Sequence, residues 1–300
     1  MPRRILVTGT EGQVVGALFE KTHDRPDVEM VTIGLPDLDF TATAKIAPAI
    51  EALAPDVVLS VAAYTAVDAA ESDEATAFLV NATAVGEIGR AAAALGVPVV
   101  HLSTDYVFSG DKPTPYVETD PTGPLSAYGR TKLAGEEALA AATANHAILR
   151  TAWVYSPFGK NFVRTMLRLA ETRDRVGVVD DQIGNPTSAL DIADGLLKVA
   201  DDLVASNDPA LRGRFHMTGG GTASWADFAT EIFRLTASLG GRSVAVDRIP
   251  TSAYPTPAVR PRNSRLDCSR LEAVHGVRLP DWHGSTEVVV RRLISGRAPA

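Results

Sequence analysis

Short apolar runs alternate with longer segments of helical period through the first half of this 300-residue chain. Ile5-Leu6-Val7, Val28 to Ile33, Val57 to Val61, Val99 to Leu102 and Ala147 to Leu149 read as five strands. A helix opens near Gln13, with Leu18 and Phe19 apolar. From Glu71 to Ala94, the positions Phe78, Ala82, Val85, Gly89 and Ala92 recur at steps of four, three, four and three, the period of one helix face. Breakers separate the segments: Gly34-Leu35-Pro36, Pro55 and Gly96-Val97-Pro98, where Pro98 suits the first position of a strand. Strands alternating with helices long enough for crossovers predict an α/β fold, a doubly wound parallel sheet covered on both faces. After Arg150 the pattern loosens. Helices are expected near 161–173, 188–204, 225–238 and 284–295, with short strands near 176–179, 213–217 and 244–248. There is no internal repeat and no low-complexity linker. Residues 1–152 therefore read as the sheet domain and 153–300 as a smaller mixed α/β lobe packed on it, with about 188–217 returning to the sheet domain.

Composition narrows the function classes. Lys and Arg number 29 against 36 Asp and Glu, for a net charge of −7, with 45% hydrophobic and 22% charged residues. That balance excludes a disordered polymer, a collagen-like repeat and a disulfide-stapled mini-protein. Residues 251–300 carry eight arginines against four acids, which leaves the rest of the chain strongly acidic. An acidic body disfavours nucleic acid as a partner. The basic segment suits either a phosphorylated small molecule or a solvated helix face. Cys268 stands alone, no run reaches the ~20 apolar residues of a membrane span, and the opening residues lack an apolar signal core. No membrane is expected, and the cytoplasm is the default compartment.

The first strand runs directly into Gly9-x-x-Gly12 and then a helix. Glycine there lets backbone N–H groups approach a pyrophosphate at a helix N-terminus; an ordinary strand-to-helix turn has the same look. No acid directly follows the second strand, but Asp37 and Asp39 come slightly later, and no Lys or Arg stands there for a 2′-phosphate. NADH and NADPH both stay open.

Tyr128 and Lys132 are four apart, on one helix face. A free phenol with a pKa near ~10 is a poor proton shuttle at neutral pH. A neighbouring ammonium favours the phenolate and draws that value down. Thr104 lies at the C-terminal end of the fourth strand, where open α/β sheets place their sites. The order of glycine loop, strand-end Thr and Tyr-x-x-x-Lys is more specific than any one part.

With these residues the chain resembles the extended short-chain dehydrogenase/reductase superfamily and, within it, the dTDP-4-dehydrorhamnose reductase family. The resemblance runs through Gly9-Thr-Glu-Gly-Gln-Val14, Ala62-Ala-Tyr-Thr-Ala-Val-Asp68 with Ala70-Glu71, Val80-Asn81-Ala82, Ser103-Thr-Asp-Tyr-Val-Phe108, Tyr128-Gly-Arg-Thr-Lys132 and Arg150-Thr-Ala-Trp-Val-Tyr155. It continues in Asn161-Phe-Val, Asp181-Gln-Ile-Gly-Asn-Pro-Thr187 and Arg260-Pro-Arg-Asn-Ser-Arg-Leu266. It implies a Rossmann-like NAD(P)-binding domain and a substrate-binding lobe. The implied reaction reduces the C4 keto group of a dTDP-4-keto-6-deoxysugar with NADPH or NADH. Tyr128 would protonate the developing alkoxide, Lys132 would tune Tyr128 and hold the nicotinamide ribose, and Thr104 would orient the keto oxygen. Gly9, Gly12, Gln13 and Val14 would bind the pyrophosphate, Asp39 and Phe40 the adenosine side, and Ala62, Ala63 and Tyr64 the middle of the cofactor. Thr65, Val67, Thr104, Trp153, Asn161, Gln182 and Arg260 are the implied substrate contacts, Trp153 either walling the sugar or serving as a core aromatic.

Val15 stands where the family loop has a third glycine, with Gly16 next. No metal is assigned: the six His are scattered and no tight carboxylate cluster stands out. A homodimer is compatible with the resemblance. A 4,6-dehydratase would call for extra acid/base groups, and Tyr106 stands where dehydratase relatives complete an Asp-Glu pair. A non-catalytic subunit, like the regulatory subunit of methionine adenosyltransferase, would keep the same motifs without turnover.

Overall fold

The structure, a computed structural model, describes residues 2–296. The first half holds β1 (Arg3–Thr8), α1 (Gln13–Thr22), β2 (Val28–Ile33), α2 (Ile46–Leu53), β3 (Val57–Ser60), α3 (Val67–Ala70), α4 (Glu74–Phe78), α5 (Ala84–Leu95), β4 (Val99–Thr104), α6 (Ala127–Ala142) and β5 (His146–Thr151). The second holds β6 (Val154–Tyr155), α7 (Phe162–Ala170), β7 (Arg175–Val179), β8 (Ile183–Gly184), β9 (Thr187–Ser188), α8 (Ala189–Ala205), β10 (Gly213–His216), β11 (Ala223–Ser224), α9 (Trp225–Ser238), β12 (Ala245–Ile249), α10 (Ser269–His275) and α11 (Trp282–Ser295).

Six parallel strands form the main sheet in the order β2-β1-β3-β4-β5-β10. The strand period of two divides β1 between the two faces. Ile5 and Val7 pack with Leu18 of α1 and Leu196 of α8. Leu6 packs with Ile50 of α2, Ile88 of α5 and Leu139 of α6. Both faces are apolar because both are covered by helices, which is why the strands read as near-continuous apolar runs. The chain leaves β1 for β2 on one side and then crosses back to β3 on the other. That reversal opens a crevice at the C-terminal ends of β1 and β3. The remaining strands form short two-stranded pairs, β7 with β12, β8 with β11 and β6 with β9. Among the described residues, no helix is long and apolar enough to cross a membrane.

The helix face expected across 71–94 is interrupted. Leu79–Thr83 form one wide π-type turn between α4 and α5. Ala82, Val85, Gly89 and Ala92 are buried as expected, but Phe78 is 48% exposed and Ala77 is buried in its place. An extra residue in one turn rotates everything N-terminal to it, and the 3.6-residue count then fails for Phe78.

Candidate active site

The crevice is bordered by the loops that follow β1, β2 and β3. Gly9 and Gly12 both take positive φ, +94° and +116°, a conformation that side chains resist. Gly12 precedes α1, which has no side-chain cap, so the N–H groups of its first turn are available to an anion. Nothing lies within 4 Å of the position a Gly12 Cβ would take. Gly34 brings the segment after β2 against this loop, its would-be Cβ 3.1 Å from Gly9 Cα, and Thr10 Oγ1 donates to Leu35 O at 2.8 Å. Thr8 Oγ1 accepts from the N–H groups of Val61 and Ala62, both at 3.0 Å, tying the β3 loop to β1. These features fit a dinucleotide pyrophosphate. Val15 is accommodated as a core residue, 4% exposed, and close packing moves one position on: a Cβ on Gly16 would meet the Phe158 ring at 2.9 Å.

Thr104 ends β4 and caps the short turn Asp105–Val107, accepting from Tyr106 N at 3.2 Å and donating to Asp105 Oδ1 at 2.9 Å. Its side chain stands close enough to the Tyr128 phenol to act on it. Ser126 caps α6 by accepting from Gly129 N, and Gly129 lets the helix approach Tyr106 O, where a Cβ would clash. Burial and the Asp105 charge push the Tyr128 phenol up to about 12, while the nearby Thr104 hydroxyl draws it back. Burial likewise raises Asp105 to about 6, opposed by hydrogen bonds from Ser264 and Thr104.

Lys132 is 2% exposed. Its Nζ donates to Leu102 O at 2.8 Å and lies 3.2 Å from His101 Nε2. An ammonium only donates, so His101 Nε2 accepts and Nδ1 carries the proton toward Ser60 Oγ at 2.9 Å. Burial, then the Lys132 charge, hold His101 neutral by driving its pKa well down. Burial lowers Lys132 to about 8 against the pull of Glu136 one helical turn along. The charge acting most on the Tyr128 phenol is thus that of Asp105, not that of Lys132.

The other expected residues divide by what their side chains do. Ala62 lies against Gly9. Tyr64 is held through its backbone by Asn81, which accepts from Tyr64 N at 2.8 Å and donates to Tyr64 O at 3.2 Å. Ala63 is half-buried in the same loop, Thr65 is exposed, and Val67 opens α3. Asp39 is exposed and accepts from Thr41 N at 2.8 Å, and Phe40 packs toward the core cluster around Leu38. Gln13 reaches away from the loop, to Val154 O and Ser156 Oγ, and the half-buried Val14 packs against the core. Asn161 caps α7 and holds Ser156 O and Phe158 O. Gln182 is buried and donates to Thr251 Oγ1. Arg260 is paired with Asp68 at 2.8 Å, and its charge reaches Tyr106, whose ring meets Tyr128 edge-on at 5.5 Å.

Sequence reasoning gave no role to Asp105, Tyr106, His101, Asn81 or Ser264. The first two directly follow a strand-end Thr, which was the signal available. Asn81 and Ser264 stand inside motifs that carry the resemblance, which show their presence but not their contacts, and His101 is brought in only by packing.

A half-buried phenol beside a strand-end threonine, with a lysine four residues on and a glycine cradle on the same doubly wound sheet, defines a Rossmann-type reductase of the extended short-chain class. The family model for the RmlD substrate binding domain matches residues 3–294. A dTDP-4-dehydrorhamnose reductase of Sinorhizobium fredii is 52% identical over 291 residues, 97% of this chain and 98% of that one. The crystal structure of such a reductase from Clostridium acetobutylicum superimposes with a TM-score of 0.90 at 38% identity, covering 97% of this chain and 99% of its own. One from Bacillus anthracis, in complex with NADP, also gives 0.90, at 30% identity and covering 97% and 100%. The chain belongs to the dTDP-4-dehydrorhamnose reductase family.

Proposed function

We propose that this protein reduces the C4 keto group of dTDP-4-dehydro-L-rhamnose to give dTDP-L-rhamnose, with NADPH or NADH as the reductant. The observation that carries the reading is that Tyr128 of α6, its ring against Tyr106, stands beside Thr104 at the end of β4 in a chain of this family. The substrate cleft would lie between the sheet domain, up to residue 152, and the lobe that follows it, with about 188–217 returning to the sheet domain. Contacts between the two parts include the Asp68–Arg260 ion pair and the Ser156–Gln13 hydrogen bond. The lone Cys268 supports a cytoplasmic setting.

When bound, the dihydronicotinamide supplies a hydride from its C4. Gly9, Gly12 and the first-turn N–H groups of Gln13 and Val14 would hold the pyrophosphate, Asp39 and Phe40 the adenosine side, and Ala62, Ala63 and Tyr64 the middle. Lys132, charged at neutral pH, would hold the nicotinamide ribose. Tyr128 keeps its proton well above neutral pH and gives it to the sugar oxygen as negative charge develops there. Thr104 orients that oxygen and stabilises the phenolate left behind, since a hydrogen bond to the charged form favours it.

The test is loss of reduced-nicotinamide absorbance after dTDP-4-dehydro-L-rhamnose is generated in situ, with dTDP-L-rhamnose identified chromatographically. Binding of both cofactors by calorimetry without turnover would sink the substrate assignment. Failure with other keto sugar nucleotides as well would favour a non-catalytic subunit.

A further inference from the structure

Trp153 follows the end of β5 by two residues, at the same end of the sheet as Thr104, whose register partner is Thr151. Its backbone sits at φ +49°, a left-handed conformation that bulky residues rarely take. Such a conformation persists where the surroundings over-determine it, and here they do. The Trp225 indole stacks on Trp153 with ring centroids 3.6 Å apart and planes within 7°. Gly184 admits the indole closely: a Cβ there would lie 2.5 Å from Trp153 Cε2 and 2.7 Å from Nε1. The Trp153 carbonyl accepts from Thr187 N at 3.2 Å. Trp225 is itself fixed, as the first residue of α9 behind a Ser224–Asp227 capping box, with Phe162 against its ring at 4.7 Å.

We infer that Trp225, with Gly184, is a positioning element: it holds the Trp153 indole as a preset wall of the sugar subsite and so sets affinity for the nucleotide sugar. This rests on the proposed function together with the sugar-wall reading of Trp153 that the family resemblance implies. Without the stack, Trp153 is free to leave its strained conformation, and binding must then order it.

The chain has three tryptophans, and the third, Trp282, packs against His283 and Phe228 instead. Two indoles stacked this closely give an exciton couplet in far-ultraviolet circular dichroism. That couplet should vanish in both W153F and W225F and persist in W282F. W225A should raise KM for the nucleotide sugar about 3- to 10-fold, the worth of one stacked pair, with kcat within about twofold and cofactor affinity unchanged. W225F should return KM to within about twofold of wild type, because a flat ring still stacks. G184A should raise KM from the other side by displacing the indole. A wild-type KM in W225A, a raised KM that persists in W225F, or a wild-type spectrum without the couplet overturns the inference. Wild-type protein that turns over no 4-keto sugar nucleotide overturns the proposed function itself, whereas turnover with an unmoved KM in W225A overturns only this positioning role.

Discussion

Glu136 lies one helical turn past Lys132 on α6 with its side chain fully buried, and replacing it by Gln tests how the site is held together. Its Oε1 accepts from Ser103 Oγ at 2.6 Å and Arg150 Nε at 2.9 Å. Its Oε2 accepts from Arg150 Nη2 at 2.7 Å and, more weakly, Arg214 Nε at 3.3 Å. Arg150 is 2% exposed, so the pair clamps α6 to β5 out of reach of water. Gln keeps one acceptor but turns an NH2 group toward the arginines and leaves the Arg150 charge without its counter-charge. Breaking one side of a buried pair costs about 3–5 kcal/mol. With half the acceptors retained, about 3 kcal/mol is expected, or roughly 5–10 °C in Tm for a chain of this size. Burial raises the Glu136 carboxyl, but the Arg150 hydrogen bond and charge outweigh it and leave it below its ordinary value. The carboxylate's contribution is therefore present above its unfolded pKa and lost as pH falls through the lower folded one. The stability gap between wild type and E136Q should accordingly narrow on acidification through that window. E136Q also removes the negative charge that supports the Lys132 ammonium, so the alkaline limb of kcat/KM should move toward neutral pH. Denaturant unfolding at several pH values and a pH–rate profile measure both effects. A loss below about 1 kcal/mol, or an unmoved alkaline limb, would refute the reasoning.

Three further outcomes are expected. Tyr128→Phe deletes the proton donor and keeps the ring against Tyr106; kcat should drop about 10²- to 10⁴-fold with calorimetric cofactor affinity unchanged, and equal activity would remove Tyr128 from the chemistry. In the wild type, activity should fall as pH rises past about 8, where Lys132 loses its charge. Arginine stays protonated, so Lys132→Arg should abolish that limb in whatever activity it retains; an unchanged limb would assign it to another group. Residues 34–44 hold Asp37 and Asp39 and no Lys, Arg or His, so a 2′-phosphate meets like charge where Gly34 abuts the glycine loop. NADH should exceed NADPH in kcat/KM by about tenfold, with Asp39→Ser narrowing the gap; a preference for NADPH would contradict this electrostatic reading.

Much of the fold is legible along the chain because its determinants are local. β2 spans Val28–Ile33 and α9 spans Trp225–Ser238, both as the pattern predicts. Short apolar runs bounded by glycine and proline and alternating with segments of helical period fit strands of a parallel sheet joined by crossover helices. The short helices α2 and α10 escaped, being brief segments whose apolar positions gain a face only against the sheet. The cradle and the Tyr-x-x-x-Lys helix were visible for the same local reason, since a glycine turn and a four-residue spacing are properties of neighbouring residues.

What tertiary structure alone decided is where the charges act and what holds the aromatic rings. Sequence spacing put Lys132 beside Tyr128, yet burial turns its ammonium to Leu102 O and His101, and Asp105 becomes the stronger influence on the phenol. Asn81 reaches Tyr64 across 17 positions, and Trp225 reaches Trp153 across 72. No periodicity encodes such contacts, because they form only once the chain has folded back and excluded water. The sequence by itself determined the sheet, the cradle and the chemical groups available; the packed structure determined their protonation and the orientation in which they meet.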